Sequence, residues 1–221
     1  MNEILFLLHI IIVGSTTFVM LQMGNQGLCA FLSVQAILAN LFVIKQISLF
    51  GYNATASDVY IVGSVLCLNL LQEYYGIEEA RKALWVSFGL LIFYTIVSQF
   101  QIGYTPSPND FSHNFYNSIL SFMPRITAAS IVVYLIIQHF DIFFYYLLKK
   151  IFTGKLLLLR NICSIALSQF LDTILFSFLG LYGIVQNILQ VMIISFIIKI
   201  CTLLILTPSV LFLLKLAYRN K

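Results

Sequence analysis

Seven runs of about twenty apolar residues, at roughly 4–22, 28–48, 57–75, 81–100, 125–148, 156–180 and 187–214, follow one another with only short polar breaks between them. A membrane-spanning helix needs about 20 such residues, and seven of them in a chain of 221 leave no length for a soluble domain. The expectation is therefore an all-α integral membrane protein, one polytopic transmembrane domain over residues 1–221. Composition agrees, with 61% hydrophobic and 9% charged residues against about 45–50% and about 25% in soluble domains. No single water-soluble core of this length buries so much apolar surface. The first run opens with Asn2 and Glu3 where a signal peptide carries basic residues, and it lacks a small-x-small cleavage site, so it reads as a span.

Basic residues in short loops face the cytoplasm. Arg81 and Lys82 follow the third run, Lys149, Lys150, Lys155 and Arg160 surround the fifth gap, and Lys215, Arg219 and Lys221 close the chain. Placing them inside makes the C-terminus cytoplasmic and, across seven spans, the N-terminus external. The formal charge of +4 is explained by this bias, and nothing indicates nucleic acid binding. The segment 101–124, with Pro106, Pro108, Asn109, Asp110 and His113, then becomes an external, water-facing lid. Three cations are left over: Lys45 and Arg125 near outer helix ends, within snorkelling reach of the headgroups, and Lys199, deep in the last run, where facing lipid would cost several kcal/mol.

Acidic and amide residues interrupt the same runs. Gln169 and Asp172 are spaced to share a helix face, as are Gln138 and Asp141, and Asn69 and Glu73, while Asn40 stands alone in the second run. An Asp172–Lys199 ion pair would glue a bundle together without any ligand. An interhelical hydrogen bond, however, is worth only about 0.6 kcal/mol, a weak reason to keep several ionisable groups at mid-membrane depth. A polar ligand site is a better one. Carboxylates that accept, amides that do both and amines that donate suit a planar heterocycle with amide and amine edges, with Phe170, Phe176, Tyr94 and Tyr134 as stacking candidates. A sugar phosphate would need clustered Arg, which is absent. There is no G-x-x-x-x-G-K-[ST], H-E-x-x-H or G-x-S-x-G, so the chain is not expected to be an enzyme or to hold a cofactor. Cys29, Cys67, Cys163 and Cys201 have no paired spacing and read as apolar packing residues, and His9, His113 and His139 are scattered, so no metal site is expected.

Several segments together resemble a known family. These are Asn40-Leu41-Phe42 with Lys45, Asp58-Val59-Tyr60, and Asn69-Leu70-Leu71-Gln72-Glu73-Tyr74-Tyr75-Gly76 with Ala80-Arg81-Lys82. Further along come Pro124-Arg125-Ile126, Ala129-Ser130, Gln138, Asp141, Ser168-Gln169-Phe170-Leu171-Asp172-Thr173, and Lys199 ahead of Pro208. In order and spacing they resemble the queuosine precursor transporter family, also called the vitamin uptake transporter family, over about residues 36–214. The resemblance implies a multi-pass bacterial inner-membrane importer of 7-deazaguanine bases such as queuine or its precursors, for salvage into tRNA. The residues expected at the substrate are Asn40, Lys45, Asn69, Glu73, Arg125, Gln169, Asp172 and Lys199. In this picture Asp172 accepts from the guanine-like N–H edge, Gln169 and Asn40 read its carbonyl and ring nitrogen, and Lys199 neutralises Asp172 in the empty site. Glu73, Asp141 and Asp172 are the candidates for proton coupling. Position 69 is Asn where many family members carry Asp. The family's six spans plus an extra one at 4–22 give the same N-out, C-in topology as the charges. Beside membrane lipid and the base, the expected partners are a second copy of the chain or an external ATPase module. In the latter, alternative reading the chain is a substrate-capture subunit that docks through Ala36–Ala39 or Ala128–Ser130. A third reading is a non-transporting membrane assembly protein.

Overall fold

A computed structural model describes residues 1–55, 57–151 and 157–219, with the side chains at 138, 139, 141–146, 148–151, 157–165 and 206–219 outside the described set. Among the described residues are eight α-helices: α1 (Asn2–Gln22), α2 (Asn25–Phe42), α3 (Asp58–Tyr75), α4 (Ile77–Gly103), α5 (His113–Leu120), α6 (Met123–Ile151), α7 (Leu157–Phe176) and α8 (Ile188–Arg219). A single π-helical turn, Ser177–Leu181, extends α7. Among the described residues, five stretches are long and apolar enough to cross a membrane: α1, α2, α4, residues His113–Ile137 of α5 and α6, and Ile188–Ile205 of α8. The 18-residue α3 is not among them because it carries Asp58, Asn69, Gln72 and Glu73, and the described apolar part of α7, Ala166–Leu181, is shorter.

Three helix pairs, α1–α2, α3–α4 and α5–α6, are joined by links of only one or two residues. Gly76 alone joins α3 to α4, at φ 88° and ψ 166°, a region essentially reserved for glycine. It receives no Cβ and so lets the chain reverse at once. α2 packs against α3 and α4, α3 against α4 and α8, and α6 against α7 and the π-turn, while α1 lies across α2, α3 and α8. Two apolar cores result. Ile10, Val13, Leu28, Leu32, Val59, Leu66 and Leu71 hold α1–α4 together; Val43, Leu120, Met123, Ile126, Leu181, Val185 and Val191 close the other end. In the first, a Cβ on Gly63 would run into Gln35 Oε1 and Val13 Cγ1, so only glycine lets α3 approach α2 this closely.

The second apolar run is shorter than its composition suggests. α2 stops at Phe42, and the residues read as its continuation to 48 enter a β-hairpin, β1 (Gln46–Leu49) with β2 (Tyr52–Thr55), paired antiparallel from Gln46↔Thr55 to Leu49↔Tyr52. The cause is local: Phe50 and Gly51 both take positive φ, at 51° and 83°, as a two-residue turn requires, and the flanking residues alternate in polarity. Open strand edges are not tolerated against lipid. Here α1 covers β1 and α8 covers β2, Asn2 Nδ2 donates to Ser48 O, and Glu3 Oε1 accepts from Phe50 N–H. Leu49 and Ala54 are buried against Ile198 of α8.

The segment 101–124 also differs from a purely polar lid. It contains α5, whose Phe115 and Tyr116, with Phe111 ahead of it, are exposed, as suits a helix at a membrane interface. Asp110 Oδ1 accepts from both the N–H and the hydroxyl of Ser112 at 2.7 Å, which folds the approach to α5 and holds the Asp110 carboxyl below its usual range.

Candidate functional site

α7 is the element that builds the site. Its residues 169, 172 and 176 fall on one face at spacings of three and four, and Gln169, Asp172 and Phe176 all line a cavity of about 200 Å³ enclosed by α2, α3, α4, α6 and α7. The walls are mainly apolar, from Leu32, Ala36, Ala39 and Val43 of α2 to Leu84, Phe88 and Leu91 of α4, with Asn40, Ser64, Ser87, Ser130 and Tyr134 as further polar groups. An apolar cavity of about 150 Å³ takes one benzene ring, so this one has room for a small bicyclic heteroaromatic. Phe88 and Tyr134 meet edge to face at 5.2 Å along one wall.

Each polar group is held for a reason. Asn40 Nδ2 donates to Ala36 O at 2.8 Å, and Ser130 Oγ donates to Asn40 Oδ1 at 2.7 Å, tying α2 to α6 at the cavity. Gln169 Oε1 is buried with no hydrogen-bond partner among the described residues, an acceptor left for something else. Asp172 is 25% exposed, whereas Lys199, reaching in from α8, is 3% exposed. The ammonium donates to Asp172 Oδ2 at 2.8 Å and to Thr173 Oγ1 at 3.1 Å. Asp172 thus faces the cavity in front and the ammonium behind, and the predicted ion pair forms.

Behind Asp172 lies a second, much smaller space of about 10 Å³, lined by Thr55, Ser57, Asp58, Thr173, Ser195 and Lys199. Val43, Ile61 and Phe176 line both spaces and so form the partition between them. Asp58, at the first turn of α3, is 2% exposed; Lys199 and Asp172 both act on it electrostatically, and the Ser195 and Thr55 hydroxyls face it. Sequence reasoning placed Asp58 in a family motif but not in the site. A carboxylate in a helix's first turn is the ordinary complement to the helix dipole, so its position alone does not single it out.

Of the residues expected at the substrate, Asn40, Gln169 and Asp172 come together on the cavity and Lys199 joins them through Asp172. The others stand elsewhere. Lys45 is exposed beyond α2, and Asn69 and Glu73 are exposed toward the far end of α3. Arg125 is exposed on α6 and donates to Leu179 O at 2.9 Å and Tyr182 O at 2.7 Å, bracing the π-turn. The side chains of Gln138, Asp141 and His139 lie outside the described residues, as do those of Cys163, Lys149, Lys150, Arg160, Pro208, Lys215 and Arg219; Lys155 and Lys221 are not described at all. Among the stacking candidates, Phe176 and Tyr134 line the cavity, Tyr94 packs on the second core, and Phe170 meets Phe196 edge to face. Of the small residues considered for docking a partner, Ala36, Ala39 and Ser130 line the cavity and Ala129 sits against Gly180, while Ala128 is exposed.

A bundle of apolar helices with a polar cavity backed by a buried ion pair defines a multi-pass membrane protein. The model of the family described as "Putative vitamin uptake transporter" matches residues 55–213. A curated relative from Bacillus subtilis (strain 168), "Probable queuosine precursor transporter", is 34% identical over 189 residues, 84% of this chain and 82% of that protein. The chain therefore belongs to the vitamin uptake transporter family. No solved structure matches it. The matched span contains Asp58, Gln169, Asp172 and Lys199, with Asn40 ahead of it.

Proposed function

We propose that this protein imports queuosine precursors, 7-deazaguanine bases, across a bacterial inner membrane, binding them in the cavity between α2, α3, α4, α6 and α7. The observation that carries the reading is the cavity's donor and acceptor set: a carboxylate, Asp172, open on one side, beside the unpartnered carbonyl of Gln169. The name of the Bacillus subtilis relative supports the same substrate class. A guanine-like edge offers adjacent N–H donors to Asp172, its amine or amide N–H answers Gln169 Oε1, and Phe176, Phe88 and Tyr134 pack on its faces. Seven crossings with the N-terminus outside and the C-terminus inside, as the basic loops favour, let the cavity open alternately to either side.

The test is uptake in a bacterial strain that neither makes nor imports these bases but keeps the enzymes that use them. Each base is supplied at low concentration, and queuosine in tRNA is read by its boronate-retarded mobility. The expected result is a shift that depends on this chain and vanishes in Asp172→Ala although the variant remains in the membrane. A stable Asp172→Ala protein that imports normally would remove Asp172 from the site, and no shift with any base would end the substrate reading.

A further inference from the structure

We propose that Asp58 is the second seat of the Lys199 ammonium: when a base occupies Asp172, the ammonium passes to Asp58, drawing α8 onto the hairpin and the start of α3. The proposal rests on the transport reading above and adds to it a positioning residue outside the cavity.

Asp172 cannot serve two donors equally. Its Oδ2 accepts from Lys199, and a base that lays adjacent N–H groups along the carboxylate competes for the same oxygens. The displaced ammonium is 3% exposed, and a buried cation left unpaired in a bundle core is strongly unfavourable. It needs another anion within a side chain's reach. Asp58 supplies it: its Oδ2 is buried with no hydrogen-bond partner among the described residues, and it lines the same small space as Lys199.

That space, about 10 Å³, is close to the least that holds one water, so it is private to these side chains and no substrate enters it. Until the exchange, the hydroxyls of Ser195 and Thr55 face the Asp58 carboxyl. Asp58 is not an isolated helix residue, either. It starts α3 three residues after the end of β2, and Thr55 Oγ1 at that end lies 3.5 Å from Ser195 Oγ, one turn from Lys199 on α8. Moving the ammonium from α7 to the α3 start therefore transfers an electrostatic tie from the α7–α8 contact to the α8–hairpin contact. Binding in the cavity is thereby communicated to the hairpin and the start of α3.

Two measurements on purified full-length protein decide the matter, with 7-aminomethyl-7-deazaguanine as the probe. Calorimetric binding is compared with uptake in reconstituted vesicles for the unmodified protein, Asp58→Asn, Asp58→Glu and Asp172→Asn. The expected pattern is that Asp58→Asn, which offers the displaced ammonium no second carboxylate, binds the base at least about tenfold more weakly than the unmodified protein and imports it correspondingly more slowly. Asp58→Glu, which keeps the carboxylate, should recover most import, and Asp172→Asn should lose binding itself. Asp58→Asn that binds the base as tightly as the unmodified protein or imports it normally, or Asp58→Glu that restores neither, overturns the proposal.

The second measurement needs no variant. Adding the base to the unmodified protein should slow hydrogen exchange in residues 46–60 as well as around the cavity, and unchanged exchange over 46–60 also overturns it. Unmodified protein that binds no base defeats the substrate reading and this proposal with it, whereas binding with normal import by Asp58→Asn defeats this proposal alone.

Discussion

At the scale of single residues, the site is organised by unequal burial within one ion pair. Lys199 is almost wholly enclosed and Asp172 is not, so the lysine acts from behind and the aspartate presents itself. Breaking a buried pair by removing one partner costs about 3–5 kcal/mol where the survivor has no other partner. Here the ammonium has a second carboxylate in Asp58, which leads to a specific expectation. Asp172→Asn and Asp58→Asn each lower the melting temperature in detergent modestly, and the double variant loses more than the sum of the two, because only then is the ammonium stranded. Plain additivity in that cycle would mean that the two carboxylates act apart. Asp172 and Lys199 were legible in the sequence because a charge inside an apolar run announces itself. Asp58 was not, because it stands at the edge of a run, where an acidic residue is common.

Among elements, the irregular ones do the positioning. The hairpin ends one helix early and starts the next so that Asp58 lines the same small space as Lys199, and the π-turn carries α7 past the cavity into the second core through Leu181. Single π-turns concentrate at functional sites, and their carbonyls need partners. Arg125 supplies two of these bonds, to Leu179 O and Tyr182 O. Arg125→Gln is therefore expected to destabilise the protein by about 1.5 kcal/mol, the scale of charged hydrogen bonds. Hydrogen exchange should accelerate over 177–185 and stay unchanged in α1 and α4. Uniform acceleration throughout the bundle would show that Arg125 acts globally rather than on this turn. The sequence offered Arg125 as a leftover cation near a helix end; nothing in its spacing pointed to carbonyls 54 and 57 residues away.

For the whole molecule, the open question of sidedness has a direct answer in labelling. The tip of the hairpin at Phe50 and the exposed residues around Ser107 are expected outside, and Arg81 and Lys82, which pair with Glu78 and Glu79, inside. Single cysteines at Ser107 and at Arg81, in a background without the four native ones, should react with an impermeant maleimide in opposite fashion. Ser107→Cys labels in intact cells, and Arg81→Cys labels only after permeabilisation. The reverse result would invert the importer topology.

The sequence by itself determined the solvent, the helical class and the family: lipid tolerates few charges and no unpaired backbone, so apolar runs of fixed length dictate helices. It also marked Gln169, Asp172 and Lys199, since polar groups at that depth must face protein or cavity. Which of the marked residues meet was decided by tertiary structure alone. Asn69, Glu73, Lys45 and Arg125 carry the same chemistry, yet helix rotation and helix ends turn them away from the cavity. Asp58, by contrast, is brought in because a two-residue turn at Phe50-Gly51 folds the chain back beneath α8. Helical periodicity fixes a residue's angle about its own axis, whereas the distance between side chains on different helices depends on how those helices pack, and that is set by contacts far apart in the chain.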